Sequence, residues 1–197
     1  TWLAEDSSSL DIRSVSRMRQ DFVVIDNFLD EPDKVRQSVL DVGDQLEWDA
    51  GHYSGVRASV SDENYQKMIV DKIESILPFK IKMDTENTST YSFQIALESD
   101  VTWVHEDSTD WSGVLYLTPN APIDSGTLFF KEGSEPNPDE DDYGDYIVDH
   151  IGNIYNRMLL FRGHNLPHRS NIAGFGDCLE NGRLSQHFFF DEVKWLR

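Results

Sequence analysis

Cysteine, basic residues and long apolar runs are all scarce in this chain, and each scarcity narrows what it can be. Cys178 is the single cysteine, so no intrachain disulfide can form and nothing signals an oxidising compartment. No apolar stretch approaches the roughly 20 residues that a membrane-spanning helix needs. The start, Thr1-Trp2-Leu3, has neither the basic flank nor the apolar core of a signal peptide. Lysine and arginine number 17 against 36 acidic residues, a net charge of −19. Such a surface repels phosphates, and no Lys/Arg cluster offsets it, which argues against nucleic acid or anionic membrane as a partner. The expectation is a cytoplasmic globular protein whose 197 residues make one domain with a sizeable core. Oligomeric state is left open.

Hydrophobic patterning divides the chain into three parts. Residues 1–20 are polar and read as an irregular arm. Residues 21–78 carry a buried strand, Phe22-Val23-Val24-Ile25, then two helices. Asp30 as N-cap with Pro32 in the first turn predicts a helix to about Val42 that buries Val35, Val39 and Val42. Ser61 as cap, with Tyr65, Met68, Ile69, Ile73, Ile76 and Leu77 at helical spacing, predicts a second one, ended by Pro78. Between them, Tyr53-Ser54-Gly55-Val56-Arg57 reads as a short extended or turn segment.

From residue 79 to the end the period changes to that of strands. Tyr91, Phe93, Ile95 and Leu97 alternate with Ser92, Gln94 and Ala96. Further strands are expected at 101–105, 113–117, 127–131, 146–148, 157–161, 169–172 and 183–190. Many short strands behind a helical start predict an α+β fold, a jelly-roll body with the N-terminal helices packed on one sheet. The segment 132–145 holds seven acidic residues, two prolines and two glycines. It reads either as a solvated connection or as a flap beside a site.

Within the β part, three elements stand out in order. His105-Glu106-Asp107 ends one strand-like run, His168 follows some sixty residues later, and Arg183-Leu184-Ser185 opens a late strand. With six histidines and 23 aspartates in the chain, a His-x-Asp pair arises by chance about 0.7 times on simple counting. The pair alone therefore carries little. Two histidines and one carboxylate can nevertheless occupy one face of an iron octahedron and leave positions open.

The ordered set resembles a known group. His105-Glu106-Asp107, Gly113-Val114-Leu115-Tyr116-Leu117, Ser125-Gly126-Thr127-Leu128-Phe129-Phe130, Met158-Leu159-Leu160-Phe161, Pro167-His168-Arg169-Ser170 and Arg183-Leu184-Ser185 are similar to the core of the iron(II)/2-oxoglutarate-dependent dioxygenases, prolyl-4-hydroxylase-like branch. The likeness runs from about 91 to 190, and Val24-Ile25-Asp26-Asn27-Phe28-Leu29 fits some members. One departure is Ser125-Gly126 where the family usually has Gly-Gly. Another is a second distal histidine, His164. His168 is preferred for its His-Arg context, with His164 as the rival.

The resemblance implies a double-stranded β-helix and Fe(II) held by His105, Asp107 and His168. It implies 2-oxoglutarate as co-substrate, its far carboxylate taken by Arg183 with help from the hydroxyls of Ser185 and Tyr116, the latter from the facing sheet. The implied reaction hydroxylates a small molecule or peptide with O2 and yields succinate and CO2. His187 shares the face of Arg183 and Ser185 by strand parity and reads as a satisfied core histidine. Arg57, beside Gly55, could reach a substrate anion but is not counted among the site residues. Two rivals remain open: a non-catalytic jelly-roll binding module, and a cupin-like metalloenzyme that binds its substrate without 2-oxoglutarate.

Overall fold

A computed structural model describes residues 21–43, 54–59, 62–131 and 146–193. The N-terminal arm, His52, Tyr53, Ser61 and the acidic segment lie outside the described residues. Two helices are present, α1 (Pro32–Val42) and α2 (Glu63–Ile76). The strands are β1 (Phe22–Ile25), β2 (Val56–Ser59), β3 (Ile81–Met83), β4 (Ser92–Ala96), β5 (Trp111–Tyr116), β6 (Thr127–Phe130), β7 (Ile147–Ile151), β8 (Met158–Arg162), β9 (His168–Ser170) and β10 (Arg183–Glu192). They form a seven-stranded sheet in the order β1-β8-β5-β10-β4-β2, with β3 also pairing β10, and a three-stranded sheet β7-β6-β9. Every named pairing is antiparallel. This is a mostly-β, jelly-roll arrangement with two helices, its sheets unequal in size. No helix among the described residues is long and apolar enough to cross a membrane.

Strand parity builds two cores from one sheet. Along β5, Trp111 and Leu115 enter a large cluster that also holds Val39 of α1, Ile69 and Ile73 of α2, Leu160 and Phe188. The alternate residues Val114 and Tyr116 enter a smaller one with Phe129 of the three-stranded sheet, Leu159 and Phe161. Both faces of β5 are therefore buried, which is why it reads as a continuous run. Gly113 sits where a Cβ would lie 3.1 Å from Leu160 and 3.2 Å from Phe188. The same parity on β10 turns Leu184, Phe188 and Phe190 to the large core. It leaves Arg183, Ser185, His187 and Phe189 for the space between the sheets.

Several elements differ from their sequence-based boundaries. α1 starts from Glu31 rather than Asp30, with no side-chain cap and with proline in the first turn. Asp62 caps α2, its side chain accepting from the Tyr65 N–H at 2.7 Å. Residues 101–104 form no strand: Val101 is 71% exposed and Trp103 39%, so the alternation that suggests a strand buries nothing. Only His105 pairs, in an isolated bridge to His168. Residues 56–59 are a strand paired with β4, and β3 is too short for its period to show.

One polar residue ties the connection between β1 and α1 to the chain's far half. Asn156 is buried with φ of 60°; its Oδ1 accepts from the Leu29 N–H at 2.8 Å and its Nδ2 donates to the Leu29 carbonyl at 2.9 Å. Asn156→Ala strands both backbone groups and places a Cβ-bearing residue without local hydrogen bonds in the left-handed region. The expected loss is about 2–4 kcal/mol by urea unfolding. Asn156→Gly, which removes only the conformational part of the penalty, recovers a fraction of it.

Candidate active site

A backbone pair brings two of the candidate ligands together. The His105 N–H donates to the His168 carbonyl at 3.0 Å, and the His168 N–H returns a bond to the His105 carbonyl at 2.9 Å. The two rings lie 4.5 Å apart between centroids. Asp107 is fixed next to them through its N–H on the Gly163 carbonyl at 2.9 Å. Gly163 permits that approach, since a Cβ there would fall 2.6 Å from Ser112 Oγ and 3.1 Å from Asp107 Cβ. The pairing also explains how residues some sixty positions apart meet: a single bridge ties His105 to the first residue of β9.

The three side chains converge. His168 Nε2 lies 3.4 Å from Asp107 Oδ2, and His105 Nε2 lies 3.8 Å from Asp107 Oδ1. One potential ligand atom from each falls within 4.8 Å of the others. His105 Nδ1 faces the Trp103 carbonyl at 3.1 Å, and His168 Nδ1 faces the Leu166 carbonyl at 2.9 Å. Carbonyl oxygens only accept, so each Nδ1 carries a proton, and each Nε2 faces Asp107, offering a lone pair to a cation or, when protonated, an N–H to the carboxylate. Ser112 donates to Asp107 Oδ2 at 2.6 Å and orients the carboxylate. Three electron-pair donors aimed at one point repel one another unless a cation sits among them. Atoms each about 2.1 Å from a shared ion and at right angles stand about 3 Å apart, so the spacings of 3.4 and 3.8 Å need to close by about 0.4 and 0.8 Å for the set to grip one. His105 and Asp107 adjoin the mouth and His168 is buried. His164, exposed in the turn after β8, is not in the cluster.

Titration follows from this packing. Burial pushes the Asp107 carboxyl up, but His168 and Ser112 outweigh it and hold it below its ordinary value. His105 is held below the ordinary histidine value, first by the crowding of protein around its ring and then by His168. His187, enclosed at the cleft and near Arg57 and Arg183, is held well below 6.5, burial being the main cause. The unfolded chain therefore binds protons on these histidines at pH values where the folded chain does not. Metal-free protein keeps this contribution above about pH 6.5 and loses it as pH falls from there through the folded values. Urea midpoints across about pH 8 to 5 should drop in that window, and His187→Gln should flatten part of the slope.

Arg183 lies deeper in the same cavity, which has about 620 Å³ of empty space and is walled by the triad, Val114, Thr127, Phe161 and His187. The Arg183 side chain is 2% exposed. Its Nε donates to the Ser125 carbonyl at 3.0 Å, and its guanidinium stands 5.7 Å from the Tyr116 ring. Among the described residues no carboxylate forms an ion pair with it. A buried guanidinium without a counter-ion is costly, and one remedy is an anion supplied from the cavity. Burial lowers its pKa and Tyr116 opposes that, yet an arginine remains charged.

Ser185 and Tyr116 are buried beside Arg183 rather than on the cavity wall. Ser185 Oγ lies 3.1 Å from His187 Nε2, and Tyr116 Oη lies 2.7 Å from Thr127 Oγ1. Tyr116 is not on the facing sheet: it pairs directly with Ser185 in the same sheet, and Thr127 reaches it from the other. Sequence reading missed Ser112, Thr127 and Gly163. Ser112 had a usable signal, since it shares strand parity with Tyr116 and stands five residues after Asp107. Gly163 had none, because its neighbours are distant in sequence.

The comparisons place this fold among known ones. No family model and no curated protein matches the sequence. The chain is similar to the solved prolyl hydroxylase of Trichoplax adhaerens in complex with a hypoxia inducible factor peptide fragment, at 21% identity over 86% of this chain and 83% of that one, TM-score 0.58. A Pseudomonas putida prolyl-4-hydroxylase matches at 14% identity over 88% and 94%, TM-score 0.57. HygX of Streptomyces hygroscopicus, solved with nickel and 2-oxoglutarate bound, matches at 10% identity over 88% and 83%, TM-score 0.58. The chain has the fold that these proteins share.

Proposed function

We propose that this chain is a non-haem Fe(II)/2-oxoglutarate-dependent oxygenase, hydroxylating a small molecule or peptide. The observation that carries the reading is one cavity joining an inward-facing His105–Asp107–His168 donor set to a buried arginine that has no counter-ion among the described residues. In support, the same fold in HygX is solved with nickel and 2-oxoglutarate. The two N-terminal helices are proposed to buttress the outer face of the larger sheet, the whole chain acting as one domain around this cavity.

The donor set suits a divalent metal that needs open positions: two neutral imidazoles and one carboxylate leave part of an octahedron free. Bound there with 2-oxoglutarate, Fe(II) would supply activation of O2 coupled to oxidative decarboxylation. The residues of the chain do the rest. Arg183 holds the far carboxylate through its outward N–H groups, Nε being committed to Ser125. Tyr116, held by Thr127, braces that guanidinium from the side, and Ser185, buried behind the wall, positions His187, which lines the cavity. Phe161, Val114 and Phe189 keep the cavity dry. Ser112 prevents the Asp107 carboxylate from turning away.

Incubation with Fe(II), ascorbate and 2-oxoglutarate in air should produce succinate even without the prime substrate. Asp107→Ala should reduce it to the rate of free iron. Wild-type protein that forms no succinate above that rate would sink the assignment.

A further inference from the structure

His187 is a core histidine with only half of its ring satisfied. On one face of β10 the order is Arg183, Ser185, His187 and Phe189. Register with β5 sets the level of each: Ser185 lies opposite Tyr116, His187 opposite Val114 and Phe189 opposite Ser112. Tyr116 stands beside the Arg183 guanidinium, and Ser112 bonds Asp107. His187 therefore stands between the arginine and the donor set, on the wall of the cavity that joins them. Its backbone is pinned by the Tyr91 N–H, which donates to its carbonyl at 2.8 Å. The Phe189 ring lies within 22° of parallel to the imidazole.

The hydroxyl behind the ring fixes its tautomer. Ser185 is fully buried, and its Oγ meets a single partner among the described residues, His187 Nε2 at 3.1 Å. A protonated Nε2 would donate to Oγ and leave the serine O–H without an acceptor, the costly state for a buried donor. With a bare Nε2 the hydroxyl donates to it and nothing is left over. Burial first, and then the nearby arginines and histidines, keep the ring neutral, so its one proton sits on Nδ1. No described residue accepts a bond from Nδ1, and the ring borders the cavity. The fold thus presents a fixed N–H donor, backed by Ser185, to whatever fills that space.

We propose that His187 is a co-substrate contact: its Nδ1–H donates to the 2-oxo acid end of 2-oxoglutarate, and Ser185 is the positioning residue that keeps the proton on that nitrogen. This rests on the oxygenase reading above. 2-Oxoglutarate offers acceptors only, two carboxylates and a keto oxygen. With the far carboxylate on Arg183, the rest of the molecule passes His187 on its way to the donor set. A carboxylate in a dry cavity needs a donor for each lone pair left over, and a preset N–H supplies one without reorganisation. A divalent ion and Arg183 already match the charges of Asp107 and the dianion. A neutral donor therefore adds a hydrogen bond without upsetting that balance, which an imidazolium would do.

The test titrates the full chain, loaded with Mn(II), with N-oxalylglycine and with N-methyloxamate, which keeps the 2-oxo acid end and lacks the far carboxylate. His187→Gln and His187→Leu should weaken both ligands by about tenfold. His187→Asn should hold both within about threefold, because its amide nitrogen falls near the place of Nδ1 and that of glutamine near Nε2. A packing role would favour glutamine, the closer match in size, so a general loss of structure does not mimic this order. Ring-nitrogen resonances of the metal-free protein, assigned by their loss in His187→Asn, should show a protonated Nδ1 and a bare Nε2. Ser185→Ala should mix the two forms. Undiminished N-oxalylglycine binding in His187→Leu, better retention by glutamine than by asparagine, a loss that spares N-methyloxamate, or a protonated Nε2 overturns the inference alone. N-Oxalylglycine that does not bind the wild type removes the oxygenase reading and this inference with it.

Discussion

Arg183→Leu should weaken 2-oxoglutarate by about 100-fold or more while leaving metal affinity within a few-fold. The reason is the isolation of the guanidinium. It is 2% exposed, its Nε is spent on the Ser125 carbonyl, and no ion pair compensates it among the described residues. A dicarboxylate entering the cavity meets a cation already desolvated by the fold, so little further water has to be stripped from it. Leucine fills much of the same space but leaves the incoming carboxylate buried without a partner, a penalty of several kcal/mol. Arg183→Lys should recover only part of the loss, because a point charge cannot offer the planar pair of donors. Calorimetric titration of Mn(II)-loaded protein with N-oxalylglycine reads the effect directly. Equal losses for metal and ligand would mean that Arg183 holds the sheets together instead.

Asp107→Ala should weaken Mn(II) or Fe(II) binding by more than about 100-fold. Asp107 is the only charged donor of the three, and both imidazole lone pairs are arranged around its oxygens at 3.4 and 3.8 Å. Without it the cation meets two neutral ligands and no compensation for its lost water. His168→Ala should behave alike. His164→Ala should retain metal, since His164 is exposed and outside the cluster. Metal content after dialysis, with Mn(II) resonance for affinity, separates these outcomes. A wild-type level of metal in Asp107→Ala would place the ion elsewhere.

The legible part of this molecule was its periodicity. Strand alternation around Phe93 and Gly113–Leu117 and helical spacing from Tyr65 to Leu77 located elements within a residue or two, because burial on a defined face imposes the period. What failed was the 101–105 strand. Val101 and Trp103 alternate as a strand would, yet Val101 faces solvent and Trp103 lines the cavity, and sequence cannot tell an apolar residue in a core from one facing a cleft. His105 and Asp107 converge all the same, through a single bridge to His168 rather than through a ladder. Arg183 and His187 share a face by parity, but that no counter-ion stands beside Arg183 among the described residues depends on distant segments and shows only in three dimensions.

The central claim is that one cavity holds metal and 2-oxoglutarate together, in contact with each other. Anaerobic absorption spectroscopy of the protein with Fe(II) and 2-oxoglutarate tests it most directly. Chelation of the iron by the 2-oxo acid should produce a visible charge-transfer band that neither component gives alone and that Asp107→Ala abolishes. Protein that binds both Fe(II) and 2-oxoglutarate yet shows no such band would contradict it.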